Sequence, residues 1–289
     1  MRFLFRNAIL SLFIGVELLG VSCFFQVHAQ PLLYSVQAHH AMAASIGKSD
    51  RHPFSVVVNP ASVADFRKIA WAFGGEQRFL APGWTSWAAA AILPVVRGSW
   101  SFVAAEEGLP ILVDQLVMFT HARAVSNQAL FGVSLGFNRR KAGSFTAVVA
   151  PAIAAGFTFS LSSEWQTGFS YARFVRQRAT SASSGDLSVL RYTLGYQTSE
   201  KFLIGAGVTK ESGRAAVGSV SLCYRPSLKA GFRVGFSSSP SLCWFGLLLG
   251  IGKKVVVQVH SGFYSLVGVS NGLSVFSDPA ITTPNPSIQ

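Results

Sequence analysis

The sequence predicts an all-β protein: a transmembrane, antiparallel, up-and-down β-barrel of about fourteen strands, preceded by a segment that can act as its plug. Three observations carry that expectation. Charged residues make up 12% of the 289, against about 25% in an ordinary soluble protein, and mean hydropathy is +0.40, so charge is too sparse to coat a water-facing surface. Past residue 29 no run reaches the roughly 18 apolar residues that a spanning helix needs; Ser86–Val96 is short and contains Pro94. Large apolar residues alternate with Gly, Ser, Ala and Thr along many short runs. Backbone polar groups in lipid are satisfied by helices or by a closed barrel, and the first is missing here.

The first 29 residues read as a secretory signal peptide. Arg2 and Arg6 precede an apolar run, Ala8 to Phe25, interrupted by Glu17, and Val27-His28-Ala29 offers a small-x-small cleavage site before Gln30. Removing them takes Lys+Arg from 24 to 22 and Asp+Glu from 12 to 11, so the net charge falls from +12 to +11. That basic charge is scattered and sits in no aromatic-basic module, so no nucleic-acid partner is expected.

Residues 30–65 form the expected plug: Ala41–Ile46 as a short helix, and Val56–Ala61 as an extended piece halted by Pro60. Residues 66–277 hold the barrel. Its strands are expected near 66–75, 83–93, 96–106, 110–122, 127–139, 151–162, 165–177, 187–197, 200–211, 214–225, 228–238, 242–252, 254–262 and 265–276. In the sixth and seventh, Phe157, Phe159, Leu161, Trp165, Phe169 and Tyr171 share one parity, and Thr158, Ser160, Gln166, Gly168 and Ser170 the other. Successive strand residues point to opposite faces, so the first set meets lipid and the second lines the lumen. Trp84, Trp87, Trp165, Tyr171, Tyr192 and Tyr224 are expected in the interfacial girdles. Two stretches fit other periods as well: Leu109–Val125 is also helical in spacing, and Ser144–Gly156 is apolar on both parities. A secreted β-sandwich is the competing architecture, but Ser and Gly alone would then have to solvate its outer face. Residues 278–289 form a polar tail.

Asn59-Pro60-Ala61, after an Ala-rich stretch and before the first strand, resembles the NPA segment of the FadL-type channels for hydrophobic compounds and of the related PorV and PorQ proteins of type IX secretion. The tail of the barrel, Gly231–Phe276, with GFSSSP at 235–240 and a Gly/Ser-rich final strand, is also similar to that group. The resemblance implies a fourteen-stranded barrel with an N-terminal plug in the bacterial outer membrane, surrounded by outer-membrane lipid. It implies either passive passage of a small hydrophobic or amphiphilic molecule or, alternatively, a non-transporting scaffold or shuttle that meets secretion-machinery proteins. The chain is shorter than a typical fatty-acid channel, and Phe276 stands where an assembly signal displaced inward from the C-terminus would be.

By parity Arg191, Lys229 and Arg233 face the lumen, either as a basic wall that attracts anionic head groups or as partners of the plug or of an inward carboxylate. Arg173, Arg176 and Arg178 fall at a strand end, where lipid phosphate or water is expected. His39, His40 and His52 belong to the plug, and His121 and His260 to strands; adjacent histidines diverge, so no metal site and no other cofactor is expected. His260 could reach Ser270 or Ser274, but no third residue completes a catalytic set, so no catalytic residue is assigned and the chain is not expected to be an enzyme. Cys223 and Cys243 are expected as separate buried thiols on non-neighbouring strands.

Overall fold

The computed structural model describes residues 35–47, 51–175, 187–227, 229–238, 241–252, 254–265 and 267–277. The expected signal peptide and polar tail lie outside them, as do Arg176 and Arg178. The barrel is built from fourteen strands: β1 Ala70–Gln77, β2 Thr85–Val95, β3 Gly98–Leu109, β4 Leu112–Ala124, β5 Ala129–Ala142, β6 Val148–Ser160, β7 Trp165–Phe174, β8 Leu187–Ser199, β9 Phe202–Glu211, β10 Val217–Ser227, β11 Ala230–Ser238, β12 Ser241–Ile251, β13 Val255–Tyr264 and β14 Gly268–Ser277. Each pairs antiparallel with its neighbours in sequence, and β1 pairs with β14, so the sheet closes and has no edge. Both ambiguous stretches are strands, because their neighbours on each side offer full ladders.

The alternation of side chains is what fixes the register. Trp71, Phe73, Phe102, Phe119, Leu135, Phe169, Tyr192, Phe245 and Leu273 are exposed on the outside, while Ala72, Ala90, Ser101, Thr120, Ser134, Ser170 and Thr193 between them are buried. A slip of one residue would bury the bulky set in the lumen and place serine in the lipid. Aromatic contacts cross the outer face in register: Trp165 on Tyr196 at 4.6 Å, and Tyr224 between Phe202 and Phe232. Trp84 departs from its expected girdle place. It lies in the turn after β1 and meets Phe79 edge-on at 5.0 Å.

The odd-numbered strands all end on one side of the barrel. That side carries the longer connections, residues 78–84 and 175–186, and is called the loop end here; the opposite, terminal end carries tight turns such as residues 200–201. Phe276 faces inward and is 2% exposed, against His52 at a centroid distance of 4.1 Å. Its β1 partner is Ala72, whose small side chain leaves room for the ring. Cys223 is buried, but Cys243 is exposed on the outer face of β12, with β11 between them, so the expectation of two buried thiols holds for one.

Candidate functional site in the barrel lumen

Residues 35–47 and 51–66 lie against the inward face of the wall. Helix α1, Val36–Ala44, is capped by Ser35, whose Oγ accepts from Ala38 N at 3.0 Å. It starts five residues before the expected helix, and it packs on β1, β9, β10, β13 and β14. A second, one-turn helix α2, Ser55–Val58, replaces the expected extended piece. Only Asn59 is extended (φ −141°, ψ 110°), as a residue before proline prefers, and Pro60 then opens a 3-10 turn that runs to Val63.

The three-residue motif has a structural reason at each position. Asn59 Oδ1 accepts from Ala61 N at 3.0 Å and caps that turn; Asn59 Nδ2 donates to Phe157 O and Thr158 Oγ1, both at 3.2 Å. Pro60 supplies a preset φ for the first turn position. Ala61 is fully buried, where a larger residue would not fit. Further bonds from the wall hold the same stretch: Ser170 Oγ to Val58 O at 2.7 Å and Ser99 Oγ to Val63 O at 2.6 Å. An apolar cluster of Phe54, Val56, Val58, Val63 and Phe66 against Ile92, Val103, Leu116 and Met118 completes the contact.

The sequence-derived arginines separate at this point from the lysine. Arg191 is buried and donates to Val58 O at 3.4 Å. Arg233 is fully buried and donates to Gln258 Oε1 at 3.1 Å. Lys229 is exposed in the turn ahead of β11, outside the strand whose parity was read through it. The structure therefore places no basic wall formed by the three: two arginines are packed beside the internal segment and the lysine sits at the terminal end.

Four buried carboxylates, Glu76, Glu107, Asp114 and Glu211, escaped the sequence reading, although parity with Ala70 and Ala72 marks Glu76 as inward. Arg78, in the turn after β1, turns into the lumen between Glu76 and Glu107, with Nη1 at 2.5 Å from Glu107 Oε1 and Nε at 3.9 Å from Glu76 Oε1. Burial works most strongly against its charge, but Glu107, Tyr264 and Glu76 together outweigh that and hold the guanidinium pKa above its usual range. Phe79 follows at φ 55°, stacked edge-on with Trp84 and with Tyr264 (5.1 Å), so this turn folds over the loop-end mouth. Asp114 forms a two-pronged pair with Arg140 at 2.6 and 2.7 Å.

Between these layers sit the histidines. His40 meets Trp244 at 4.4 Å and His260 at 5.5 Å between centroids. His260 Nε2 is 3.7 Å from Glu76 Oε2, and neither His40 nor His260 makes a hydrogen bond through a ring nitrogen among the described residues. His260 thus reaches neither Ser270 nor Ser274 as a base would. Burial lowers the His39 pKa to about 4 and the His40 pKa well below its usual value, with nearby His260 and Arg233 adding to the second shift. His52 accepts from Phe54 N at 3.1 Å. No group of three or more His, Cys, Asp or Glu side chains has metal-binding geometry among the described residues.

Space remains in the lumen. Cavities of about 10, 20 and 20 Å³ flank α1, each enough for about one water molecule. A cavity of about 400 Å³ opens beside Ser45, Arg51 and Asp65, against Gln128, Thr158 and Gln166 at the terminal end.

No protein-family model matches the chain. No curated protein matches it either. Solved structures match in fold. The Pseudomonas putida toluene transporter TodX superposes with a TM-score of 0.60 at 10% identity, over 83% of this chain and 97% of that one. The Ralstonia pickettii toluene transporter TbuX gives 0.57 at 13%, over 82% and 96%. A Pseudomonas aeruginosa FadL homologue gives 0.57 at 11%, over 82% and 96%. The fold is that of the FadL-type barrels.

Proposed function

We propose that this chain is a passive outer-membrane channel for small hydrophobic or amphiphilic molecules, with residues 30–65 serving as its plug. The observation that carries the reading is a closed barrel, greasy outside, whose interior is occupied by a separate stretch of its own chain. A wall built to be inert would be filled by its own side chains, but this one presents Gly, Ser and Ala and leaves the volume to residues 35–66. The fold shared with two toluene transporters and a FadL homologue points to the same substrate class. Movement through it follows the concentration gradient, and the plug must shift for a molecule larger than water to pass.

Flux of toluene and of a medium-chain fatty acid into liposomes tests this, comparing the whole protein with a variant lacking residues 30–65. The channel reading expects saturable flux from the whole protein and faster, less selective flux from the variant. If neither form passes nor binds either compound while both migrate as folded barrels, the channel reading falls and a scaffold role takes its place.

A further inference from the structure

The turn from β1 to β2 holds a backbone arrangement seen nowhere else among the described residues. Phe79 and Leu80 stand in succession at φ 55° and 49°, and every other described residue with positive φ is glycine. With a bulky side chain that region crowds Cβ against the backbone, at a cost for each residue. Leu80 gains little in return, because it is 53% exposed.

What offsets the strain lies to either side. Arg78 is buried and pairs with Glu107 of β3, two strands away in one direction. Phe79 reaches the other way. Its amide donates to Ser270 Oγ of β14 at 3.0 Å, and its ring meets Tyr264 of β13 edge-on at 5.1 Å. The ring also packs on the buried cluster of Leu242, Trp244 and Tyr264, yet is itself only partly buried. Trp84 stands edge-on to it at 5.0 Å, and the Arg78 guanidinium lies 5.0 Å from its centre. A phenyl ring is therefore boxed by aromatic edges and a cation at the loop-end mouth. Trp244 of the same cluster meets His40 of α1 at 4.4 Å, so the box borders the internal segment.

We propose that residues 78–84 are a self-occupied latch: Phe79 fills the site at the loop-end mouth that an entering apolar molecule of about a phenyl ring's size takes. Displacing the ring loses its contacts and loosens the Arg78–Glu107 pair, but it releases the strain at Phe79 and Leu80 and gives the newcomer the same box. The closed turn is thereby kept near balance with an open one, so a weakly bound molecule can tip it through its preference for the open form. The latch rests on the channel reading for its role, as the entrance on the loop-end side.

Amide hydrogen exchange reads the turn directly, since the N–H groups of Arg78, Ala81 and Trp84 donate to Trp84 O, Arg78 O and Ala81 O within it. In the full protein, saturating toluene should speed exchange at these three amides by more than fivefold and leave those of β2 unchanged. Leu80→Gly removes strain and little packing, so it should slow that exchange by roughly fivefold and lower toluene flux into liposomes. Phe79→Ala vacates the box and should raise both, with bromobenzene located in the vacated place by its anomalous scattering in crystals. Phe145→Ala, exposed in the turn between β5 and β6 at the same end, is the control and should change neither. Gel migration with and without heating shows that each variant is a folded barrel. Toluene that leaves the three amides unchanged, or a Leu80→Gly protein that exchanges as fast as the wild type, overturns the latch whatever the flux. Exchange that responds as expected in a wild type passing neither toluene nor a fatty acid upholds the latch as the lid of a binding site and overturns the channel reading alone.

Discussion

Gly132 of β5 and Gly156 of β6 are register partners on the inner wall, and the Asn59-Pro60 turn occupies the notch between them. A Cβ added at Gly156 would stand 2.1 Å from Asn59 Oδ1, and one at Gly132 would stand 2.5 Å from Pro60 O. At Gly132 the contact is backbone against backbone, and at Gly156 it is with the Asn59 side chain, which is held by its own hydrogen bonds, so neither side can give way cheaply. Placing valine at position 156 should therefore expel the turn without unmaking the barrel. Protease cleavage within residues 35–66 should become much faster, and liposome flux should rise, while heat-dependent gel migration stays that of a closed barrel. Unchanged cleavage and flux would mean the notch does not hold the segment.

Asn59→Ala removes the cap on Ala61 N and two hydrogen bonds to the wall. A cap is worth about 1 kcal/mol and each net hydrogen bond about the same, so docking of the segment should weaken by about 2–4 kcal/mol. Hydrogen exchange at the amides of residues 55–64 reads this directly and should speed up by more than tenfold. Asn59→Asp keeps the cap but not the donor, and should fall between the two.

Acid should loosen the same segment from the other side. Both His39 and His40 have pKa values lowered by burial, the first to about 4. The docked state favours neutral rings, so docking is unaffected above about pH 6.5, weakens as pH falls below it, and for His39 reaches its full penalty near pH 4. A shift of that size corresponds to roughly 3 kcal/mol at 1.4 kcal/mol per unit. Arg233, His260 and His52 oppose a charge on His40; Arg78 and Arg191 oppose one on His39, and Glu76 favours it. Exchange rates or flux measured from pH 7.5 to 4 should rise steeply in the wild type and stay flatter in His39→Asn, His40→Asn. An equally steep rise in that variant would place the sensitivity elsewhere.

Arg233 and Lys229 should respond differently to charge reversal. Lys229→Glu changes an exposed turn and should alter stability by less than about 0.5 kcal/mol, with flux and anion preference unchanged. Arg233→Glu puts a carboxylate at a fully buried site beside Gln258 and should cost several kcal/mol in urea-induced unfolding. Similar small effects for both would restore the reading of a solvated basic wall.

These cases show how far the sequence could be read. All fourteen strands are visible because outward and inward faces have different solvents, so each strand carries a two-residue period; Phe131, Val133 and Leu135 against Gly132 and Ser134 are enough to orient β5. The internal segment is less legible. Inside a lumen every side is buried, so α1 has no polar face and its start at Val36 leaves no periodic mark. Ser55–Val58 looks extended because three valines favour strands, yet packing against the wall sets the turn instead. Lys229 shares the parity of Arg233 but lies one residue ahead of the start of β11, where the two-residue period no longer sets direction. The pairing of Arg78 with Glu107 depends on a turn that folds inward across the mouth, and that of His260 with Glu76 on β13 and β1 flanking β14, where Gly272 is the register partner of both; no local spacing encodes either.

The claim beneath all of this is that the large apolar side chains look out into hydrocarbon and the small ones look in. Two single-tryptophan proteins decide it, one keeping Trp71, 43% exposed on the outer face, and the other keeping Trp244, 3% exposed within. Both are placed in vesicles whose acyl chains carry bromine, which quenches fluorescence only on contact. The structure predicts strong quenching of Trp71 and little of Trp244; an unquenched Trp71, or a Trp244 quenched as strongly, would contradict it.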